Sequence, residues 1–222
     1  AALDDPAVFG PYLADASWDH WKVFVAALEG SQLGNPAADL YRQCAGRGVT
    51  GNGTSGFEEA WLICGRRAGK SFVLAVIATY LAAFRDWRQH LGPGERATVA
   101  VIAADRSQAR VILRYIKGLL YEVPMLRPLI EREREDSLDL KRRVTIEVRT
   151  ANFRTIRGYT IVAALLDEIA FWRSDDSANP DSEILAALRP AMATVPGAML
   201  LAASSPYARR GALYRAWRDH FG

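Results

Sequence analysis

The sequence predicts an α/β fold, a mostly parallel central sheet with helices on both faces. Four compact apolar runs, "AWLIC" (60–64), "ATVAVIAA" (97–104), "TIVAALLD" (160–167) and "AMLLAAS" (198–204), lack polar alternation, as strands covered on both sides do. Helix candidates separate them, and this alternation is the pattern of a parallel sheet joined by crossover connections. The chain of 222 residues, half of them hydrophobic, 24% charged and with six tryptophans, has room for one sizeable core.

Taken in order, residues 1–57 read as an amino-terminal helical region. "SWDHWKVFVAALEG" (17–30) has helical spacing, a second short helix is expected near "AADLYRQCA" (37–45), and the turn-rich "GRGVTGNGTSG" (46–56) closes the region. The core then spans 58–222. Its helices are expected over 70–89, over 106–121 with Asp105 as N-cap, and over 182–193 opened by Asp181 or Ser182. "SLDLKRRVTIEVRT" (137–150) alternates differently and predicts a short hairpin beside the sheet.

Composition excludes several classes. A net charge of +3, from 28 basic and 25 acidic residues, leaves any nucleic-acid contact to local clusters. Two cysteines, Cys44 and Cys64, are too few for a disulfide framework and point to a reducing, cytosolic setting. The longest apolar run, "FVLAVIATYLAAF" (72–84), has 13 residues, short of the roughly 20 needed to cross a bilayer. A start without methionine or a basic-then-apolar leader points to an expressed fragment.

"LICGRRAGKS" (62–71) ends like a phosphate-binding loop, although Cys64 stands where G-x-x-x-x-G-K-[ST] has its first glycine. A basic turn would resemble it by chance, but the apolar run before it and the long apolar helix after it supply the strand–loop–helix context the motif requires. Gly65, Arg66, Arg67, Ala68 and Gly69 would then form the loop around ATP, with Gly69 allowing close backbone approach to phosphate. Lys70 would reach the β- and γ-phosphates, and the Ser71 hydroxyl would ligate Mg²⁺.

A carboxylate pair should then end a later buried strand. "IVAALLDEIAF" (161–171) supplies Asp167 to bind Mg²⁺ and Glu168 to orient and deprotonate the attacking water, the alternative being an acidic helix cap. "LLAASSPYARRG" (200–211) ends another buried run, where Ser204 and Ser205 either meet the γ-phosphate and its water or simply make a turn. On the 106–121 helix, Arg106, Arg110, Arg114 and Lys117 share a face away from the apolar stripe of Ala109, Ile112, Leu113, Ile116 and Leu120. That face is either solvated or a sequence-independent grip on a phosphate backbone. "KRR" (141–143) and "ARR" (208–210) are weaker candidates for such contact.

Together, "GRRAGKS", "RGYTIVAALLDEIAFW" and "LAASSPYARRG", in this order and spacing, resemble the ATPase domain of the large terminase subunit of tailed bacteriophages, over roughly residues 10–222. The resemblance implies a P-loop NTPase of the ASCE/RecA-like kind, and a variant phosphate loop in which the first glycine is replaced. It implies roles for Arg66 as the loop arginine, for Ser204, Ser205 and Pro206 in coupling hydrolysis to movement, and for Arg157 as an arginine inserted into a neighbour's site. It implies ATP and Mg²⁺ as cofactors, and a homo-oligomeric ring on double-stranded DNA with the portal protein and the small terminase subunit as partners. The place of action would be the procapsid portal in the cytoplasm of the infected bacterium, without a membrane. The family's nuclease domain is expected to be absent from this chain, which would then not itself cut DNA. The adenine contact is left open among Trp18, Trp21 and Phe24. The alternatives are a helicase-like DNA-dependent ATPase and a non-catalytic nucleotide-binding module.

Overall fold

The structure, a computed structural model, describes residues 2–48, 56–151, 158–173 and 180–222. Among these residues seven strands form one sheet. In chain order they are β1 (Glu59–Ile63), β2 (Ala97–Ala103), β3 (Ile130–Glu133), β4 (Ser137–Leu140), β5 (Val144–Thr150), β6 (Thr160–Asp167) and β7 (Met199–Ser204). Their spatial order is β1-β7-β6-β2-β5-β4-β3. The first five in that order run parallel, and β4 and β3 complete the sheet antiparallel. The strand that ends at Asp167 and the strand that leads into residues 64–69 are therefore separated by β7, which ends at Ser204 with Ser205 directly after it.

The helices are α1 (Asp19–Leu28), α2 (Asn35–Ala45), α3 (Lys70–Phe84), α4 (Arg106–Glu122), α5 (Pro180–Met192) and α6 (Gly211–His220). α3 and α4 pack on each other and on β2, β5 and β6, whereas α5 and α6 pack on each other and on β6 and β1. Every residue of β2 and β7 is buried, so both faces of the central strands are covered, as their unbroken apolar runs require. No helix among the described residues is long and apolar enough to cross a membrane.

Each departure from the expected boundaries has a local cause. α3 stops at Phe84, short of 89, because Arg85 is extended and the buried Trp87 turns back to donate its indole N–H to the Leu81 carbonyl, one of the groups a helix end leaves unpaired. α5 starts at Pro180, whose fixed φ suits a first turn, so Asp181 lies inside the helix. Its carboxylate accepts from the Ser182 N–H and from the Ala212 N–H at the start of α6. Asp105 caps α4 as expected, accepting from the Gln108 N–H at 2.9 Å. The expected hairpin is not beside the sheet but in it, because β5 pairs in parallel with β2 along seven positions while pairing antiparallel with β4. β3 was not anticipated: "IERE" hides its strand character behind charges that suit a solvent-facing sheet edge.

The amino-terminal residues share the core of the sheet. Leu3, Phe9, Leu13 and Leu28 belong to the same buried cluster as α3 and the central strands. Phe9 meets the Phe84 ring edge-on at 6.3 Å, and Arg85 pairs with Glu29 at 2.8 Å, tying the end of α1 to the end of α3.

Because Ile116 is fully buried on the sheet-facing side of α4, Ile116→Ala should destabilise the chain by about 2–5 kcal/mol. Arg114→Ala, on the exposed face of the same helix, should stay within about 0.5 kcal/mol of wild type. Urea unfolding of both variants measures the difference.

Candidate nucleotide site

Residues 64–69 link β1 to α3 at the carboxyl end of the sheet. The β1–β7 ladder continues one residue into the loop, with the Cys64 N–H donating to the Ser204 carbonyl at 3.1 Å. Positive φ occurs in the loop at Arg67 (60°) and Gly69 (83°) and not at Cys64, so the first position of the motif makes no demand here that only glycine can meet. Gly69 does make such a demand. Besides its φ, a Cβ there would lie 2.8 Å from the Trp18 ring. Trp18 thus fills the space that the sequence reading reserved for close approach to phosphate.

Two aromatic residues of the amino-terminal region hold this loop from outside. Trp21 donates its indole N–H to the Ala68 carbonyl at 2.8 Å. Trp18 lies 5.4 Å from Phe72 in the first turn of α3, and Phe72 meets Tyr115 of α4 at 5.3 Å. Arg66 and Arg67 are exposed. The N–H groups of the first α3 turn lack intrahelical partners and carry the positive end of the helix dipole, a natural seat for an anion.

Lys70 opens α3 and is 5% exposed. A buried ammonium needs partners, and three oxygens surround it: the Gly65 carbonyl at 2.9 Å, Ser205 Oγ at 3.0 Å and Glu168 Oε1 at 3.3 Å. The lysine thereby joins the loop between β1 and α3 to both later strand ends.

Asp167 closes β6 at 1% exposure. Its Oδ2 accepts from the Ser71 hydroxyl at 3.1 Å, while Oδ1 is buried without a hydrogen-bond partner. Burial, reinforced by the neighbouring Glu168 charge, pushes its carboxyl up to about 6, and the Ser71 hydrogen bond only partly offsets this. The main-chain carbonyl of Asp167 accepts the indole N–H of buried Trp172 at 2.9 Å. Glu168 then sits in the left-handed region at φ 51°, uncommon for a residue with a Cβ and typical of functional turns.

The Glu168 carboxylate is held as well as placed. It accepts from the Ser205 N–H at 2.9 Å, from Ser204 Oγ at 3.2 Å and from Ser205 Oγ at 3.4 Å. Ser204 has one hydroxyl proton for two acceptors, Glu168 Oε2 and the Ser205 carbonyl, and itself accepts the Ala170 N–H. The serines contact the glutamate, a partner that neither sequence alternative, phosphate contact or a simple turn, had named.

A Mg²⁺ ion fits this donor set. An orphaned buried carboxylate oxygen beside a serine hydroxyl offers hard oxygen ligands of the kind the ion prefers. No group of three or more His, Cys, Asp or Glu suited to a metal occurs among the described residues.

Outside this cluster the candidates divide. Arg157 lies outside the described residues. On α4, Arg106, Arg110 and Arg114 are exposed, but Lys117 pairs with Glu133 at 2.7 Å and Arg110 with Glu135 at 3.5 Å, so acidic side chains at the sheet edge partly neutralise the basic row. Sequence reasoning missed Trp172 and the role of Trp21. The first left a signal, an aromatic donor five residues after Asp167; the second, 47 residues from its acceptor, left none.

The Asp167 shift fixes a sign. A carboxyl raised in the folded state from 3.8 to about 6 leaves the native chain holding more protons between these values, so its ionisation lowers stability as pH rises through that window and the penalty is complete above it. Asp167→Asn should therefore be more stable than wild type by about 2–3 kcal/mol near pH 7.5, a difference that vanishes only below about pH 3. Denaturant titrations of both proteins across that range measure it.

No protein-family model matches the sequence, and no curated protein does. Solved structures do. The HK97 bacteriophage large terminase superposes with a TM-score of 0.56 at 21% identity, over 74% of this chain and 32% of that one. The Thermus phage P74-26 large terminase ATPase domain gives 0.52 at 16% identity, over 82% and 69%, and an arginine-to-alanine variant of that domain gives 0.51 at 16%, over 82% and 68%. The chain thus spans about a third of the length of the HK97 protein. At these identities the likeness concerns the fold, and the fold of this chain is that of the phage large-terminase ATPase domain, a P-loop NTPase-like α/β sheet.

Proposed function

We propose that the chain is the ATPase motor domain of a DNA-packaging terminase, hydrolysing ATP with Mg²⁺ to move double-stranded DNA. The observation that carries this reading is the convergence of Lys70, Ser71, Asp167, Glu168 and Ser205 on one strand-end cluster beneath a helix N-terminus.

In this reading the polyphosphate lies along residues 65–71, against the N–H groups that open α3. Lys70 exchanges Gly65, Ser205 and Glu168 for phosphate oxygens, which frees Glu168 on its lysine side. Ser71 and Asp167 hold Mg²⁺, which when bound neutralises charge on the phosphates. Glu168, kept in place by the Ser205 N–H and the Ser204 hydroxyl, takes the proton of the attacking water. A product-dependent change in the same two serines would pass the state of the glutamate to β7 and the segment through Pro206 that follows it.

The remaining roles rest on the resemblance and on chemistry. Arg66, exposed on the loop, and Arg157, supplied by a neighbour in a ring, would stabilise charge on the transferring phosphoryl group. Arg106, Arg110, Arg114 and Lys117 would meet the DNA backbone without reading bases. Portal protein and small terminase subunit would be partners at the procapsid.

Mg²⁺-dependent ATP turnover per chain, followed across protein concentration, tests the reading. Glu168→Gln should keep nucleotide binding and lose at least about 100-fold in turnover, and Lys70→Ala should lose both. Turnover that survives Glu168→Gln removes the glutamate as base. Turnover per chain that rises with concentration and falls with Arg157→Ala supports an arginine acting in trans.

A further inference from the structure

Trp21 and Trp18 were candidates for a base contact, but the structure commits both to the phosphate loop. The Trp21 indole N–H is spent on the Ala68 carbonyl at 2.8 Å, and the Trp18 ring closes over Gly69. We infer that Trp21 is a positioning residue of the nucleotide site, a latch that orients the peptide unit between Ala68 and Gly69. This rests on reading residues 65–71 as a phosphate site.

The physical argument concerns that one peptide. A trans peptide is planar, with its C=O and N–H pointing in opposite directions. Fixing the Ala68 carbonyl toward Trp21 therefore fixes the Gly69 N–H away from it, on the side opposite α1. Gly69, at φ 83°, has the conformational freedom that lets the adjoining peptide turn over. With the peptide reversed, a carbonyl oxygen would take the place of a donor and repel the phosphates. Trp18 limits the same motion sterically, since its ring fills the space beside Gly69 and is braced by Phe72 and, through it, by Tyr115. The amino-terminal helical region thus acts on the phosphate contacts without touching nucleotide.

The test is Trp21→Phe in the full chain, which removes the indole N–H and keeps an aromatic ring. Affinities for Mg-ATP and for inorganic tripolyphosphate are measured together with thermal stability. Both affinities should fall by the same factor, about five- to tenfold, as expected for loss of one hydrogen bond. A fall for ATP alone would assign Trp21 to the base and overturn the proposal. Unchanged affinities with a lowered melting temperature would leave Trp21 a purely structural role and overturn it as well. If wild type binds neither ligand, or if Lys70→Ala binds both as wild type does, the phosphate-site reading itself fails. A measurement on unmodified protein guards against a variant that does not fold. The Trp21 indole proton should exchange with solvent far more slowly than an exposed indole, and exchange at the exposed rate would exclude the latch.

Discussion

The contact between Lys70 and Glu168 spans two strand ends that are not neighbours in the sheet. β7 stands between β1 and β6, and the serine that directly follows it fills the gap: Ser205 contacts the lysine through its hydroxyl and the glutamate through its main-chain N–H. This three-way contact is the constraint on which the site depends. A buried ammonium and a carboxylate in contact each supply what the other needs in low dielectric, and removing either leaves the other charge uncompensated. In the proposed function, phosphate oxygens would replace the carboxylate as partners of the lysine and so open the contact.

Around that contact the chain departs from its easiest conformations. Glu168 adopts the left-handed region, Asp167 is kept buried with one oxygen unpaired, and Gly69 is the residue best able to turn beneath Trp18. These departures persist because the surroundings determine them. Trp172 fixes the Asp167 carbonyl, the Ala203 carbonyl accepts the Glu168 N–H at 2.8 Å, and Trp21 fixes the Ala68 carbonyl. The rigid strands of the sheet carry the cost, as its apolar burial is large relative to any one strained residue.

Much of this was legible before any coordinates. Unbroken apolar runs marked four of the five parallel strands because a strand buried on both faces has no polar side to hide, and residues at their ends, Asp167, Glu168, Ser204 and Ser205, come together in one cluster with Lys70. β5 and β3 were harder. The alternation in "VTIEVRT" is that of a half-covered strand, and nothing local says that its partner is β2, about 50 residues earlier. The charges of β3 look like a solvated turn until β4 pairs with them. The partners of Glu168 were equally hidden, since a serine at a strand end reads the same whether it faces phosphate or carboxylate. Cys64 was an apparent defect only because the motif is written in residue names; written in backbone angles, the defect is absent.

The sequence distance across the site has a consequence for how the protein comes into being. Ser205 lies 135 residues beyond Lys70, and β1 is held in the sheet by pairing with β7. During synthesis at about 5–20 residues per second, Lys70 therefore waits roughly 7 to 27 s for this partner to be made. Until then β1 lacks the strand it pairs with among the described residues, and its loop lacks Ser205. Local pieces such as the β4–β5 hairpin have their partners within a few residues, whereas the cluster around Lys70 draws its groups from segments 135 residues apart. Closure of the contact among Lys70, Glu168 and Ser205 is for that reason a sign that β1, β7 and β6 have come together.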